Sequence, residues 1–340
     1  MLIHNEKNID EPLEVSVIIP AYNVGEFLAR ALDSVIAQTR PADEIIVVDD
    51  GSADDTGMVA KGYGARVKYI YQENAGASAA RNAGIKAAQH GWIAFLDGDD
   101  EWLPEKLQLQ MALLQRNPLL DWTTGNFYRC LCRENRRGPD ISPDKAARLL
   151  QDKDYLDNYF TGYTKGLGGW TGTMLIKKKV LEEAGLFCVE QRVTEDLDLW
   201  FRIAYRHPRI GYLAEPLSVY YVDTPGSLVK TQKDPKYIRM LLERHFKLAR
   251  AYGCLEEFYP CAALILGHWL KVLLQADRGA QVRSLLCQYG WLFSGYCRLT
   301  TYISALFPRT ARLYRRIRLW LGKVTRRKRN RYPSSGEGFD

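Results

Sequence analysis

Three carboxylates stand within four positions at Asp97-Gly98-Asp99-Asp100, directly after the apolar run Ile93–Leu96. Carboxylates that close repel one another, and a hard divalent cation that also carries phosphate oxygens relieves the repulsion. Taken alone, the cluster reads equally as a solvated acidic turn ahead of the helix that opens near Pro104. A second acidic cluster, Glu195-Asp196-Leu197-Asp198, follows Thr194 and precedes Trp200-Phe201-Arg202. Thr194 reads as an N-cap, and acids in a first turn suit the helix dipole. Capping accounts for Glu195 and Asp198, but three acids beside Trp200 in an otherwise apolar helix are more than a cap needs. A third pair, Asp49-Asp50, closes the run Glu44–Val48 and leads into Gly51-Ser52.

The elements that must position these groups are legible in the hydrophobic pattern. Val15–Pro20, Glu44–Val48, Val67–Tyr71 and Trp92–Asp97 are short continuous apolar runs, the pattern of strands buried on both faces. Between them lie helical stretches: one with Phe27, Leu28, Ala31, Leu32 and Val35 at helical spacing, one opening at Ala53–Thr56, and the alanine-rich Ala77–Gln89. The alternation predicts an α/β fold with a mostly parallel sheet flanked by helices. Strands of one sense place the loops holding Tyr22, Asp49/Asp50 and Asp97/Asp99 on one sheet edge, where such folds bind ligands. Farther on, the pattern predicts a helix over Pro104–Arg116, a strand at Trp122–Phe127 and a basic surface loop at Arg129–Pro143. A glycine-rich turn then leads into a strand at Lys165–Ile176, a short helix at Lys177–Ala184 ends at Gly185, and another strand covers Tyr212–Val222.

From about Asp234 the texture becomes long helical patterns, Tyr237–Tyr252, Leu255–Asp277 and Gln281–Leu306. Ala262–Leu274 carries His268 and Lys271 and reads as too short and interrupted to span a membrane. Leu285–Phe307 is longer, but Gln288, Arg298 and several Ser/Thr argue against its spanning a membrane; lying against a membrane or a partner is the open alternative. The net charge of +7 is not evenly spread: Arg309–Arg331 holds eleven Lys/Arg and no acid, leaving residues 1–308 with 36 basic and 38 acidic groups. Within that tail, Ala311–Leu321 alternates Arg with Leu, Tyr, Ile and Trp, the pattern of a basic amphipathic helix at an anionic membrane surface. The interleaved apolar residues favour lipid over nucleic acid. Pro333–Gly338 reads as disordered. The seven cysteines are scattered without a C-x-x-C pair, which predicts neither a disulfide framework nor a zinc site and suits a reducing, cytoplasmic compartment. Met1–Lys7 holds no long apolar stretch, so no N-terminal signal or anchor is expected.

Five stretches, in order, resemble the family 2 glycosyltransferases of bacterial cell-surface polysaccharide synthesis: VSVIIPAYN (15–23), EIIVVDDGSADDT (44–56), NAGASAARNAGI (74–85), FLDGDD (95–100) and EDLDLWFR (195–202). The resemblance implies a GT-A fold over residues 13–230; the pattern beyond it adds a helical region at 231–308 and a basic amphipathic helix with a disordered tail at 309–340. The resemblance also implies a hexosyl- or N-acetylhexosaminyltransferase that uses a nucleotide-sugar donor, UDP-linked by family expectation, and inverts the anomeric carbon. Carried over position by position, Pro20, Ala21 and Tyr22 would line the nucleoside pocket, Asp50 would accept a hydrogen bond from the base, and Arg81 would face the nucleotide. Asp97 would lie near the ribose and Asp99 would ligate Mn²⁺ or Mg²⁺ bridging the diphosphate. Asp196 matches the general base, and Glu195 and Trp200 would shape the pocket for a glycan or lipid-linked saccharide acceptor. Together with the tail, this predicts a peripheral enzyme on the inner face of the cytoplasmic membrane.

Two departures bear on these expectations. The family often has Tyr-Arg-x-His before a Gly-Ser near the end of the domain; here Tyr220-Tyr221-Val222-Asp223 lacks both the Arg and the His, so phosphate contacts must come from elsewhere, Lys230 being one candidate. The Q-x-x-R-W signature of processive polymerases is absent, which fits addition of a single sugar. The missing basic pair also motivates the alternative of a non-catalytic, nucleotide-sugar-binding or scaffold protein on the same fold.

Overall fold

The computed structural model describes residues 13–131, 134, 136–222, 224 and 234–306. The first four apolar runs are the parallel strands β1 (Val15–Ala21), β2 (Glu44–Asp50), β3 (Lys68–Gln72) and β4 (Trp92–Phe95), in the order β3-β2-β1-β4. Ile18 pairs with Ile46 on one side and Phe95 on the other, and all three are fully buried. The chain therefore builds outward from β1 to β3 and returns to add β4 on the other side of β1. Such a reversal opens a crevice at the C-terminal edge of the sheet, between the loops after β1 and β4.

Helices α1 (Gly25–Ile36), α2 (Thr56–Gly62) and α3 (Ala77–Ala87) connect these strands. Helix α1 buries Leu28, Ala31, Leu32 and Val35. Its first amide, Gly25 N–H, donates to Asp54 Oδ2 (2.9 Å) in the next loop, so a neighbouring side chain caps it. A Cβ on Gly84 of α3 would lie 2.4 Å from Ile18 Cγ2. Glycine there lets α3 lie directly on β1, with Arg81 one turn nearer the sheet edge.

Past β4 the sheet becomes mixed. β5 (Glu101–Trp102), β6 (Trp122–Leu131), β7 (Arg136–Pro139), β8 (Tyr155–Leu156), β9 (Leu175–Lys177) and β10 (Ile210–Tyr221) continue it. β9 runs antiparallel to β4 and to β6, while β10 is parallel to β6 and antiparallel to β5 and β8. The register of β10 against β6 slips between Leu213 and Pro216 and again between Pro216 and Val219. A proline cannot donate to a ladder, and bulges of this kind bend a strand; the end of β10 turns toward β5 and the acidic loop. In the stretch Arg129–Pro143, expected as a loop, β6 runs on to Leu131 and β7 pairs back on it. Extended pairing satisfies the backbone there despite the basic, Pro/Gly-containing composition.

The remaining helices of this part are α4 (Lys106–Arg116), α5 (Pro143–Leu150), α6 (Tyr159–Thr164), α7 (Lys178–Glu183) and α8 (Glu195–Ala204). α7 ends as predicted, with Gly185 at φ +84° and Leu186 N–H donating to Leu181 O. Thr194, expected as an N-cap, lies at φ +60° with its hydroxyl turned to Val193 O, so it makes no side-chain cap for α8.

The helices α9 (Pro235–Ala251), α10 (Leu255–Gln275), α11 (Gly279–Tyr289) and α12 (Gly295–Leu306) complete the described chain. Two compact units divide at Cys261/Ala262, so the first includes α9, beyond the boundary expected at residue 230. Among the described residues one helix, α10, has the length and composition to cross a membrane; its 21 residues extend well before the Ala262–Leu274 segment read as too short. The long helix expected over Gln281–Leu306 is instead two, broken by a 3-10 turn at Gly290–Leu292. Asp223, Lys230 and the basic tail lie outside the described residues.

Candidate active site

The crevice is walled first by the loops after β1 and β2. Asn23, at φ +52°, donates its N–H to Ser52 Oγ (2.9 Å) and accepts at Oδ1 from Ala53 N–H (2.8 Å), stapling the two loops. Pro20 is partly buried and Ala21 is buried, whereas Tyr22 is 52% exposed, a ring free to stack on a planar group. Asp50 is inward. Its Oδ1 accepts from Gln72 Nε2 (2.6 Å) and Ala75 N–H (2.9 Å), and its Oδ2 from Gly76 N–H (2.8 Å). Three of a carboxylate's roughly four acceptor positions are thus spent ordering the loop that starts α3. Asp49, the next residue back, points to the opposite face and holds Ser52 N–H and Tyr69 OH.

Arg81 ties the site together. It is 5% exposed; one terminal nitrogen donates to Asp97 Oδ1 (2.8 Å) and the other to Glu195 Oε1 (3.0 Å), above the Phe187 ring. Burial alone would lower the Arg81 pKa, but Asp97 and Glu195 outweigh it and hold the guanidinium firmly charged. One side chain on α3 therefore joins the loop after β4 to the first turn of α8, residues about a hundred positions apart in sequence.

The acidic loop itself is under electrostatic load. Burial and then Asp97 push Asp99 up to about 6. Burial, Asp99 and Asp97 push Asp100 well above the carboxylate range; its Oδ1 accepts from Tyr221 N–H (2.8 Å), and its Oδ2 is buried with no hydrogen-bond partner among the described residues. Arg30 of α1 answers part of this charge: it donates to Asp99 O and lies 3.8 Å over the Tyr221 ring. These hard oxygens, crowded and one of them orphaned, fit a divalent cation. Among the described residues no three His, Cys, Asp or Glu side chains form a ready-made cage.

On the other wall, Asp196 is partly buried, with Oδ1 accepting from its neighbour Leu197 N–H (2.7 Å) and Oδ2 from Thr171 Oγ1 (3.3 Å). Burial raises its pKa, and burial with the Asp196 charge raises Glu195 to about 7 against the pull of Arg81. Trp170, beside Thr171, packs on Tyr220 (5.1 Å) and Phe127 (5.7 Å). The carboxylates of the acidic loop help raise Tyr220 to about 12, after burial, so this aromatic group borders them. Gly169, at φ +68°, makes that turn possible, since a Cβ there would overlap Thr124 Oγ1.

One expectation is corrected. Trp200 is 1% exposed and packs against Phe95 and Phe187, so it braces α8 from beneath and offers no face to an acceptor. Asp198 is turned fully away from the crevice, into a buried cluster with Arg202 (2.7 Å), Arg244 (2.5 Å) and His245 (3.2 Å). The four-residue spacing of Asp198 and Arg202 was the sequence signal for that pairing. Arg30, Thr171, Trp170 and Tyr220 were not assigned to the site; each reaches it by folding across distant sequence, and the glycine-rich turn before Trp170 and the Tyr220-Tyr221 stretch were the local hints.

The family described as Glycosyl transferase family 2 matches residues 16–185. An uncharacterized glycosyltransferase of Escherichia coli K12, YibD, is 41% identical over 270 residues, 73% of this chain and 74% of that protein. EpsJ of Bacillus subtilis, also an uncharacterized glycosyltransferase, is 31% identical over 276 residues, 76% and 77% of the two chains. Against an uncharacterized glycosyltransferase of Rickettsia prowazekii the identity is 34% over 198 residues, and the match spans only 60% of that protein. Among solved structures, Staphylococcus aureus TarS 1–349 is similar in fold in its complexes with UDP (TM-score 0.55, 21% identity) and UDP-GlcNAc (TM-score 0.59, 20% identity), covering 89% of this chain and 92% of TarS 1–349 in each.

Proposed function

Because the chain belongs to the family 2 glycosyltransferases, we propose that it moves one sugar from a nucleoside-diphosphate donor, UDP-linked, to a hydroxyl of a glycan or lipid-linked saccharide in cell-surface polysaccharide synthesis, with inversion. The observation that carries this reading is the Arg81 bridge, which holds a donor-side carboxylate, Asp97, and an acceptor-side carboxylate, Glu195, on one guanidinium. That TarS has been crystallised with UDP and UDP-GlcNAc supports the choice of donor.

In this reading Tyr22 stacks on the base, while Asp50 acts by fixing the loop before α3 beneath it. Asp99, with Asp97 and the orphaned Asp100 oxygen close by, would hold Mn²⁺ or Mg²⁺, which when bound would neutralise charge on the departing diphosphate. Arg30 supplies positive charge where the Tyr-Arg-x-His pair is missing. Asp196 takes the proton of the acceptor hydroxyl as that oxygen bonds to the anomeric carbon and the bond to the diphosphate breaks. A raised pKa moves this carboxylate toward the pH at which it works and keeps it basic enough to accept the proton. Thr171 holds it in orientation, and Trp170 with Tyr220 offers an aromatic wall on which a sugar ring can lie.

A panel of nucleotide sugars, assayed for binding and for diphosphate release with Mn²⁺, Mg²⁺ and chelator, tests the reading. Metal-dependent release from one donor is the expected result. The loss of the family's Arg and His, replaced here by Tyr221 and Asp223, supports a second reading, a binding or scaffold protein; failure of every donor to bind, with or without metal, would favour it.

A further inference from the structure

Helix α12 is amphipathic the wrong way round for a core helix. Its one buried residue is the small Ala305, whose carbonyl accepts from Arg283 and sits against Gly279 of α11. Its large apolar residues face solvent: Tyr296 is 81% exposed, Leu299 58%, Tyr302 38%, Ile303 49% and Leu306 46%. At 3.6 residues per turn these five fall on one stripe about a third of the circumference wide. A contiguous apolar stripe of that kind marks an interaction surface.

The charge of the sequence that carries this helix identifies the partner. From Arg278 to Gly336 the chain carries fourteen Lys/Arg and not one Asp or Glu, and α12 lies inside that segment. We infer that the outward stripe of α12 docks into the interface of an anionic lipid bilayer, to which the excess of Lys/Arg in this part of the sequence is attracted. Apolar burial and attraction to acidic lipid then add, and the two tyrosines suit the headgroup level. A second copy of the chain is a poor occupant, since the same fourteen positive charges would meet themselves. Nucleic acid would use the charge but leave the stripe in water. The inference does not depend on the transfer reaction.

Flotation of the full chain with phosphatidylcholine vesicles, with and without phosphatidylglycerol, tests it. The wild type should float only with the phosphatidylglycerol vesicles. Leu299→Ser with Ile303→Ser should cut the bound fraction at least tenfold with no change in melting temperature, because both positions are solvent-exposed. Tyr296→Ser with Leu306→Ser, on the same stripe, should do the same. Any of three results overturns the inference: variants that float as well as wild type, a wild-type dimer that the variants convert to monomer without lipid, or a wild type that ignores vesicles yet retards RNA.

Discussion

A guanidinium that is 5% exposed and donates to two carboxylates cannot be removed without leaving both charges half-buried and unanswered. Arg81→Ala should destabilise the protein by about 3 kcal/mol, the low end for a broken buried pair because Asp97 keeps 25% exposure. Arg81→Lys should restore part of the stability but not donor affinity, since a single ammonium cannot span both carboxylates; denaturant melts and donor titration read the two effects separately. Asp196→Asn keeps the side chain's shape and its contact with Thr171, so donor binding should be unchanged while kcat falls about 10²- to 10⁴-fold. Equal turnover by the mutant would remove the base from the mechanism. The sign of the pH dependence follows. The base works deprotonated and burial raises its pKa, so the acid limb of the kcat/KM profile should lie above the ordinary aspartate range and disappear in Asp196→Asn.

At the scale of elements, the site depends on how α3 and α8 are seated. Gly84→Ala would push α3 off β1, because the new Cβ meets Ile18 at 2.4 Å; a loss of about 1–3 kcal/mol and weaker donor binding should appear together in melts and titrations. α8 is held from behind by Asp198, whose side chain is fully buried among Arg202, Arg244 and His245. Asp198→Asn should cost about 3–5 kcal/mol. Burial opposes ionisation of Asp198, but the His245 hydrogen bond and the neighbouring arginines win and hold its folded pKa below the unfolded value. Its stabilisation is therefore complete above the unfolded pKa and is lost as pH falls through the folded one, so the mutant's melting temperature should lose that acid-side dependence.

For the molecule as a whole, the proposed cation and donor would be coupled, because a cation would relieve the repulsion within the acidic loop. A donor at a hundred times its Kd stabilises the folded chain by about 2.7 kcal/mol. Thermal shift with UDP-sugar should therefore rise with Mn²⁺ or Mg²⁺ and shrink with chelator. An equal shift in both would separate donor binding from metal.

The parallel strands β1–β4, their order of appearance and the edge carrying Tyr22, Asp50, Asp97 and Asp99 were legible in the sequence, because continuous apolar runs and the turns after them are local signals. So was the acidic start of α8. The direction of each side chain was not. Glu195 and Asp198 sit three positions apart on one helix, and only the packing decides that the first meets Arg81 and the second Arg202, Arg244 and His245. Trp200 looked like a pocket residue by its company and is a core residue by its burial. β9 and β10 were expected as strands, but the antiparallel sense of β9 and the bulges of β10 were not legible, since their partners lie far off in sequence. Trp170 and Tyr220 meet beside the site because those strands close the sheet there, and Arg30 bonds Asp99 because α1 packs next to the loop after β4. Residue type set what chemistry was available; long-range packing, which no local pattern encodes, decided which residues meet to perform it.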